Sequence, residues 1–489
     1  MADLFLDFFD LPNCKYIGNH FEKKAITENK KQRYKLVRVF EFEYAGPIET
    51  ECPYCHSKLH VHSNRTLTLT DTPFGGKPVE LVIAYSRKRC SNPDCPKKYI
   101  WTPNVVDLNN NRNMTSRAYL DIAQRSLRNT FNEITNDYAL SENTIKNVFI
   151  DFANYYNERL RFKTPAFLGI DEIKIPHIGE ITVVTDLEHR TVFDMFPHRD
   201  QDHLSDYFSK LPDADKVLWV CSDMYRPFEK SIATALPNAT WVIDHFHVVA
   251  KANEAVDFAR RQLQDSMSRR DRIDTKRGLA YTLKTRERDL DPEEAAKIRV
   301  LRDDKITPKS SPKKLFVELY DLKEAFFNIY DDNLESKANA QKAFAEWEAS
   351  IPDDPLFDKF RDLVKTVHNN YEQIFNYWDC PIAISNGYTE CQNRLIREDN
   401  IRGRGYTFDI LRARTLYRKT NLERALEHGL LYGPTIPKDG PVFFMEATDS
   451  DDDEEFDEEE TEDYEDDDVF PTRKRASASY EDEDEGEEF

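Results

Sequence analysis

A chain of 489 residues that is 39% hydrophobic and 12% aromatic has material for roughly two to four domains with real cores. Its net charge of −22 lies almost wholly in residues 449–489, where 23 acidic and three basic side chains leave −20, so the near-neutral body keeps nucleic acid open as a partner. No stretch reaches the roughly 20 apolar residues of a membrane span, the N-terminus MADLFLDFFDLPNCKY is acidic where a secretory signal is basic, and eight scattered cysteines argue against a disulfide framework. The expectation is a cytoplasmic protein without a membrane partner.

Residues 1–34 form an N-terminal segment without a clear signal, and residues 35–104 read as a β-rich domain. Runs such as Thr66–Leu69 and Val79–Tyr85 are broken there by Asp-Thr-Pro and Gly-Gly turns. Cys52-Pro-Tyr-Cys55, 34 residues, then Cys90-Ser-Asn-Pro-Asp-Cys95 sets two thiol pairs on tight turns, a pattern suited to tetrahedral zinc. A structural zinc ion can supply on the order of 10 kcal/mol of folding free energy, which a segment this polar needs. The spacer is long, and His56, His60 and His62 stand nearby, so a Cys/His exchange of ligands stays open. Arg87-Lys88-Arg89 and Lys97-Lys98 lean the module towards nucleic acid.

Residues 113–160 read as helical, with Tyr119, Ile122, Leu127, Phe131, Ile134 and Tyr138 at helical spacing. Within Phe131–Phe149 a break around 139–141 separates Ile134 and Tyr138 from Leu140, Ile145 and Val148, the pattern of a helix-turn-helix with Ser141 as N-cap of the second helix. Asn143, Thr144, Lys146 and Asn147, with Glu142, would then face a DNA major groove, where amides and lysine read base edges or phosphates. A purely structural helical hairpin is the bland alternative.

From residue 164 strands and helices alternate. Phe167–Ile173, Glu180–Thr185, Thr191–Phe196, Val217–Cys221 and Thr240–Ile243 are short β-rich runs. Two apolar runs end in aspartate, Phe167-Leu-Gly-Ile-Asp171 and Val217-Leu-Trp-Val-Cys-Ser-Asp223, with 51 residues between the two carboxylates, enough for a hairpin and a crossover helix. Converging carboxylates are unfavourable without a cation, and hard oxygen ligands select Mg2+ or Mn2+. Strand-end aspartates can equally be ordinary caps.

Ile384-Ser-Asn-Gly-Tyr-Thr-Glu390-Cys-Gln-Asn393-Arg394-Leu-Ile-Arg397, followed by Gly403-Arg404-Gly405-Tyr, resembles the last motif of bacterial insertion-sequence DDE transposases of the ISL-three group. Ile170-Asp171-Glu172, Ser222-Asp223-Met224-Tyr225 and Pro237-Asn-Ala…Asp244-His-Phe-His247-Val-Val are similar to that family's earlier blocks, in order. The paired cysteines and helix-turn-helix match its N-terminal modules, so the resemblance spans about residues 1–430. It implies a ribonuclease-H-like α/β catalytic fold in which Asp171, Asp223 and Glu390 hold the catalytic Mg2+ or Mn2+. Asp244, His247 and Asn393 stand as auxiliary residues, and DNA is the partner rather than a small-molecule substrate, bound by a homodimer at the nucleoid. Cys391 stands where the family commonly has glycine.

The 166 residues between Asp223 and Glu390 exceed a simple crossover. The expected layout is a catalytic core over 164–262, an all-helical insertion over 263–378, and the returning core helix over 379–430. Arg394, Arg397, Arg402 and Arg404, and further on Arg412, Arg414 and Arg418, form a dense basic set beside Glu390 suited to phosphates. The acidic tail, 447–489, cannot pack and is expected to be disordered; it serves solubility or mimics DNA. The implied activity is metal-dependent cleavage at element ends and strand transfer. The rival reading is a silent DNA-binding regulator derived from a transposase.

Overall fold

A computed structural model describes residues 9, 11–28, 31–105, 112–265, 267, 269, 272, 279–307, 311, 313–332 and 336–432. The predicted disordered tail lies outside these residues, as do parts of the predicted N-terminal segment and helical insertion.

The first sheet is built from β1 (Cys14–Glu28), β2 (Lys31–Tyr44), β3 (Leu59–Phe74), β4 (Lys77–Cys90) and the short β5 (Ile100–Trp101), in the order β1-β2-β4-β3 with β5 on β4. Alternate residues of β4 separate its faces. Val79, Leu81 and Ile83 join Phe9, Leu11, Phe40, Phe42 and Leu69 on one side, while Val82 on the other meets Val37, Val39 and Ala139. The sheet therefore begins at Cys14 rather than near residue 35. Most of β1 between Lys15 and Ala25 is exposed, so pairing along β2 holds it and no buried apolar rhythm announces it.

Three helices follow: α1 (Ser116–Arg125), α2 (Phe131–Ile134) and α3 (Glu142–Arg159). Each has a side-chain cap at its start. Thr115 Oγ1 accepts from Ala118 N, Thr130 forms a capping box with Glu133, and Ser141 Oγ accepts from Thr144 N at 3.2 Å. Fully buried Asp71 of β3 accepts from Thr115 Oγ1 at 2.6 Å and pairs with Arg117, tying α1 to the sheet.

The second sheet contains β6 (Phe167–Ile175), β7 (Gly179–Asp186), β8 (Thr191–Pro197), β9 (Trp219–Ser222) and β10 (Thr240–Ile243), ordered β10-β9-β6-β7-β8. The first three form an antiparallel meander, and β9 and β10 run parallel to β6. Helices α4 (Gln201–Ser209) and α5 (Arg226–Ala235) make the connections into β9 and β10. Their Leu204, Phe208, Phe228 and Ile232 pack with Leu168, Ile170, Val220 and Ile243 on one face. The other face carries Phe167, Cys221 and Val242 with Ile384.

Beyond β10 come α6 (His245–Asp265), α7 (Pro292–Arg302), α8 (Lys314–Asp332), α9 (Lys337–Ser350), α10 (Asp358–Asn369) and α11 (Tyr371–Phe375), with no strand among the described residues of this stretch. Ala252, Phe316, Tyr320, Phe326, Trp347 and Phe360 belong to the same continuous core as Leu168 and Ile170, so the helices are built onto the sheet rather than appended to it. The chain then returns as α12 (Gly387–Arg402), α13 (Phe408–Leu416) and α14 (Lys419–Glu427). Helix α12 lies against β6 and β7, while α13 and α14 lie against β8.

Candidate active site

Phe167, Leu168 and Gly169 pair in parallel with Trp219, Val220 and Cys221, and Thr240–Ile243 pair with Trp219–Ser222. Carried towards the C-terminal ends, those registers set Asp171, Asp223 and Asp244 level on three adjacent strands, roughly 5 Å apart from strand to strand. Successive side chains alternate between faces. Asp171 shares the parity of Phe167 and Gly169, Asp223 that of Cys221, and Asp244 that of Val242. All three therefore project from the face that carries Ile384 and α12.

Helix α12 brings Glu390 to that row in its first turn. Asn386 before the helix is fully buried; its Nδ2 donates to Ile170 O at 2.9 Å and its Oδ1 accepts from Thr389 Oγ1 at 2.6 Å. One turn beyond Glu390, Asn393 Nδ2 donates to Asp171 Oδ2 at 2.8 Å. The approach depends on Gly169, where a Cβ would stand 2.5 Å from both Thr185 Oγ1 and Thr389 Oγ1. The helix is thus fastened to β6 on either side of the glutamate.

Burial raises the Asp171 carboxyl to about 6, against an N–H bond from Glu172 and the pull of His247. Asp223 and Glu390 are raised too, first by burial, with Asp244 the next cause at Glu390. His247 acts on all three carboxyls and favours their charged forms. It sits in the first turn of α6, its N–H bonded to Asp244 O at 3.2 Å and its Nε2 3.4 Å from Glu390 Oε1. Asp244, His247 and Glu390 each offer a ligand atom within 4.8 Å of the others. Asp244 is fully buried, and its Oδ2 has no hydrogen-bond partner among the described residues. Half-buried Asp171 and Asp223 and exposed Glu390, all with raised pKa values, beside the buried and orphaned carboxylate oxygen of Asp244, fit a divalent cation.

The family model described as a transposase, that of the ISL3 group of DDE transposases, matches residues 168–415. The chain belongs to this family. No curated protein matches it. The matched span of the transposase runs from β6 into α13 and holds the second sheet from Leu168 onward, helices α4–α12 and all the carboxylates above, while α14 lies beyond it. The first sheet and α1–α3 lie outside it.

In that N-terminal part of the transposase, Cys52, Cys55, Cys90 and Cys95 come together, with Cys52 Sγ 3.8 Å from Cys95 Sγ and Cys55 Sγ 3.4 Å from Cys90 Sγ. Four sulfurs about 2.3 Å from a tetrahedral zinc lie about 3.8 Å apart, so the cluster is compatible with zinc. Hydrogen bonding from Ser57 pulls Cys55 down to about 6 and the Tyr99 N–H lowers Cys95, both favouring the thiolate, whereas burial pushes the metal-free Cys90 thiol up to about 12. His56, His60 and His62 are exposed and outside the cluster.

Of the predicted DNA-facing residues on α3, Asn143 is exposed while Thr144, Lys146 and Asn147 are half-buried. Thr144 turns back to Ser141, and the Asn147 carbonyl accepts from Arg112 at 3.2 Å. Arg397, Arg402 and Arg404 are exposed and Arg394 is half-buried. The wider arginine set divides. Arg412 pairs with Asp194 of β8 at 2.7 Å and Arg418 with Asp399 at 2.9 Å, and Arg414 is buried, so these three hold the helices to the sheet and to one another rather than facing phosphates.

Sequence reasoning missed the pair of Glu172 and Arg199, both of which act on Asp223. Arg199 also reaches Glu180 at 3.0 Å. Only the folded meander brings this turn after β8 back to the end of β9, and no local pattern marks it.

Proposed function

We propose that this transposase-family chain is a DDE enzyme that binds the ends of an insertion sequence and catalyses DNA cleavage and strand transfer. The observation that carries the reading is the level placement of Asp171 and Asp223 on adjacent parallel strands, under a helix that delivers Glu390 to the same face. The strand order, with its antiparallel meander followed by two parallel strands, supports a ribonuclease-H-like catalytic fold.

Asp171, Asp223 and Glu390 are the residues that would hold Mg2+ or Mn2+. Bound there, such ions would supply Lewis-acid chemistry for attack by water or a 3′ hydroxyl on phosphorus. Asn393 fixes the rotamer of Asp171. Gly169 and Asn386 set how closely Glu390 approaches. Arg394, Arg397 and Arg402 on α12 and Arg404 just after it contact the DNA backbone. Helices α2 and α3 serve as a helix-turn-helix, with Asn143 at the exposed start of α3 and Thr144, Lys146 and Asn147 along it. The cysteine cluster holds a zinc ion that fixes the adjoining basic loops, and the chain works as a homodimer on DNA at the nucleoid.

The test is Mg2+-dependent cleavage and strand transfer on DNA carrying the element ends, wild type against Asp223→Asn. Loss of both products with DNA binding retained supports the enzyme. Binding without wild-type cleavage on verified ends would instead support a silent regulator.

A further inference from the structure

Asp244 is a costly carboxylate beside the second sheet. It directly follows β10, is fully buried, and has an oxygen that no donor reaches among the described residues. Its other oxygen is 3.5 Å from both Phe246 N and His245 Nδ1, too far for strong compensation. Leaving a buried carboxylate so poorly matched costs several kcal/mol unless something positive completes it. His247 and Glu390 each offer an atom within 4.8 Å of the Asp244 carboxylate and of one another, and His247 Nε2 is itself buried without a hydrogen-bond partner, although Glu390 Oε1 stands 3.4 Å away.

These are three ligand atoms of two kinds, from the residue after β10, the first turn of α6 and the first turn of α12. We propose that Asp244, His247 and Glu390 form a divalent-cation seat of mixed nitrogen and oxygen donors that favours manganese over magnesium. The proposal rests on the metal-dependent reading above and deepens it. Asp171 and Asp223 offer oxygens alone, whereas this seat adds an imidazole nitrogen, and Glu390 belongs to both neighbourhoods.

The geometry is close to what such an ion requires. Ligands about 2.1 Å from an octahedral ion lie roughly 3–4 Å from one another, and the three atoms here lie within 4.8 Å. A closure of at most about 1–2 Å completes the seat. Imidazole is a poor ligand for magnesium, which prefers oxygen and retains its waters, and a good one for first-row transition metals. Two carboxylates with one imidazole therefore shift the preference towards manganese without excluding magnesium from an all-oxygen position nearby.

Full-length protein loaded with zinc is titrated with Mn2+ alone and followed by electron paramagnetic resonance, including the nitrogen couplings of the bound ion. Wild type is expected to bind Mn2+ at least tenfold more tightly than Mg2+ in competition, with an imidazole nitrogen in its first coordination shell. His247→Gln is expected to abolish that coupling, and both His247→Gln and Asp244→Asn to weaken Mn2+ by at least about tenfold. Asp171→Asn is expected to keep the nitrogen coupling. Circular dichroism and thermal melting establish that each variant is folded, and the near-isosteric Asn and Gln replacements preserve shape.

Mn2+ bound without nitrogen coupling in wild type, and lost on Asp171→Asn, would overturn this seat while leaving the three-carboxylate reading intact. No binding of either ion would overturn both. A nitrogen coupling that persists in folded His247→Gln would assign the imidazole to another histidine and overturn the proposal.

Discussion

Asn393 donates through Nδ2 to Asp171 Oδ2 at 2.8 Å, a link between residues 222 positions apart in the chain that joins α12 to β6. It places Asp171 and Glu390 in one rigid frame, since Glu390 lies one turn before Asn393 on the same helix. Partners that orient metal ligands typically matter by 10–100-fold in affinity or activity. Asn393→Ala is therefore expected to lower strand cleavage by roughly 10–100-fold with the fold retained, and to raise the Mg2+ concentration needed for half-maximal rate. Unchanged Mg2+ dependence would mean that Asp171 is held by the Glu172 N–H alone.

The raised carboxyls make the metal-free protein sensitive to pH in a defined direction. Asp171 moves from its ordinary 3.8 to about 6 because burial favours the neutral form. A raised folded pKa contributes stability that is complete below about pH 4 and disappears as pH rises through about 6. Two units correspond to at most about 3 kcal/mol. In chelator-treated protein, Asp171→Asn should therefore match wild type near pH 4 and be more stable by roughly 2–3 kcal/mol near pH 7. Adding Mg2+ at pH 7 should stabilise wild type more than the variant. A stability difference that is flat from pH 4 to pH 7 would remove Asp171 as the titrating group.

Gly169 is required by contact, not by backbone conformation. A methyl group there meets Thr185 Oγ1 and Thr389 Oγ1 at 2.5 Å and Leu187 Cδ2 at 2.6 Å, where two packed elements leave little room to yield. Gly169→Ala should cost about 1–3 kcal/mol as overpacking and move α12, lowering cleavage more than stability alone explains. Gly18→Ala, on a strand with nothing within 4 Å, should change neither. Melting temperatures and cleavage rates of the two variants decide the matter. Full activity in Gly169→Ala would show that α12 can shift without displacing Glu390 from its task.

The cysteine cluster predicts a measurable metal content. Purified protein should carry about one zinc per chain, and the single substitution Cys95→Ser should lower it, because Cys95 is buried and none of the nearby histidines reaches the group. Chelation is expected to unfold the first sheet's end near β5 and leave the second sheet intact. Near-ultraviolet signals from Trp101 and Tyr99, which flank the cluster, should change while the second sheet's Trp241 stays protected. A stoichiometry near zero with the thiols reduced would rule zinc out.

How far the sequence could be read depended on whether each element buried its own side chains. The strand runs ending at Asp171 and Asp223 were legible because Leu168, Ile170, Val220 and Cys221 are fully buried, and buried parallel strands read as continuous apolar runs. Ser141 was legible because its capping role is local. Strand β1 was not, since it is held by pairing while its side chains stay in solvent. Asp244 follows the short apolar run Thr240–Ile243 in sequence, but its alignment with Asp171 and Asp223 is a property of sheet order. Register across β6, β9 and β10 involves segments 50 or more residues apart at one junction, which no local pattern encodes.

The arginines illustrate the same limit and give the last prediction. Arg414 and Arg404 belong to one basic stretch, yet Arg414 is 1% exposed and Arg404 is exposed. Arg414 Nη1 donates to the carbonyls of Ser126 and, at 3.0 Å, of Asn129, its Nη2 lies 3.4 Å from Asp399 Oδ1, and its guanidinium stands 5.1 Å from the Tyr406 ring centre. It thereby joins the end of α1 to α12 and α13. Removing one partner of a buried charged network costs roughly 3–5 kcal/mol, and lysine lacks the planar fork that serves several acceptors at once. Arg414→Lys should therefore melt well below wild type, while Arg404→Ala should stay within about 0.5 kcal/mol and instead weaken DNA binding, with a salt dependence shallower by about one ion. A stable Arg414→Lys would deny the buried staple, and an Arg404→Ala with unaltered DNA affinity and salt slope would take Arg404 off the backbone-binding face.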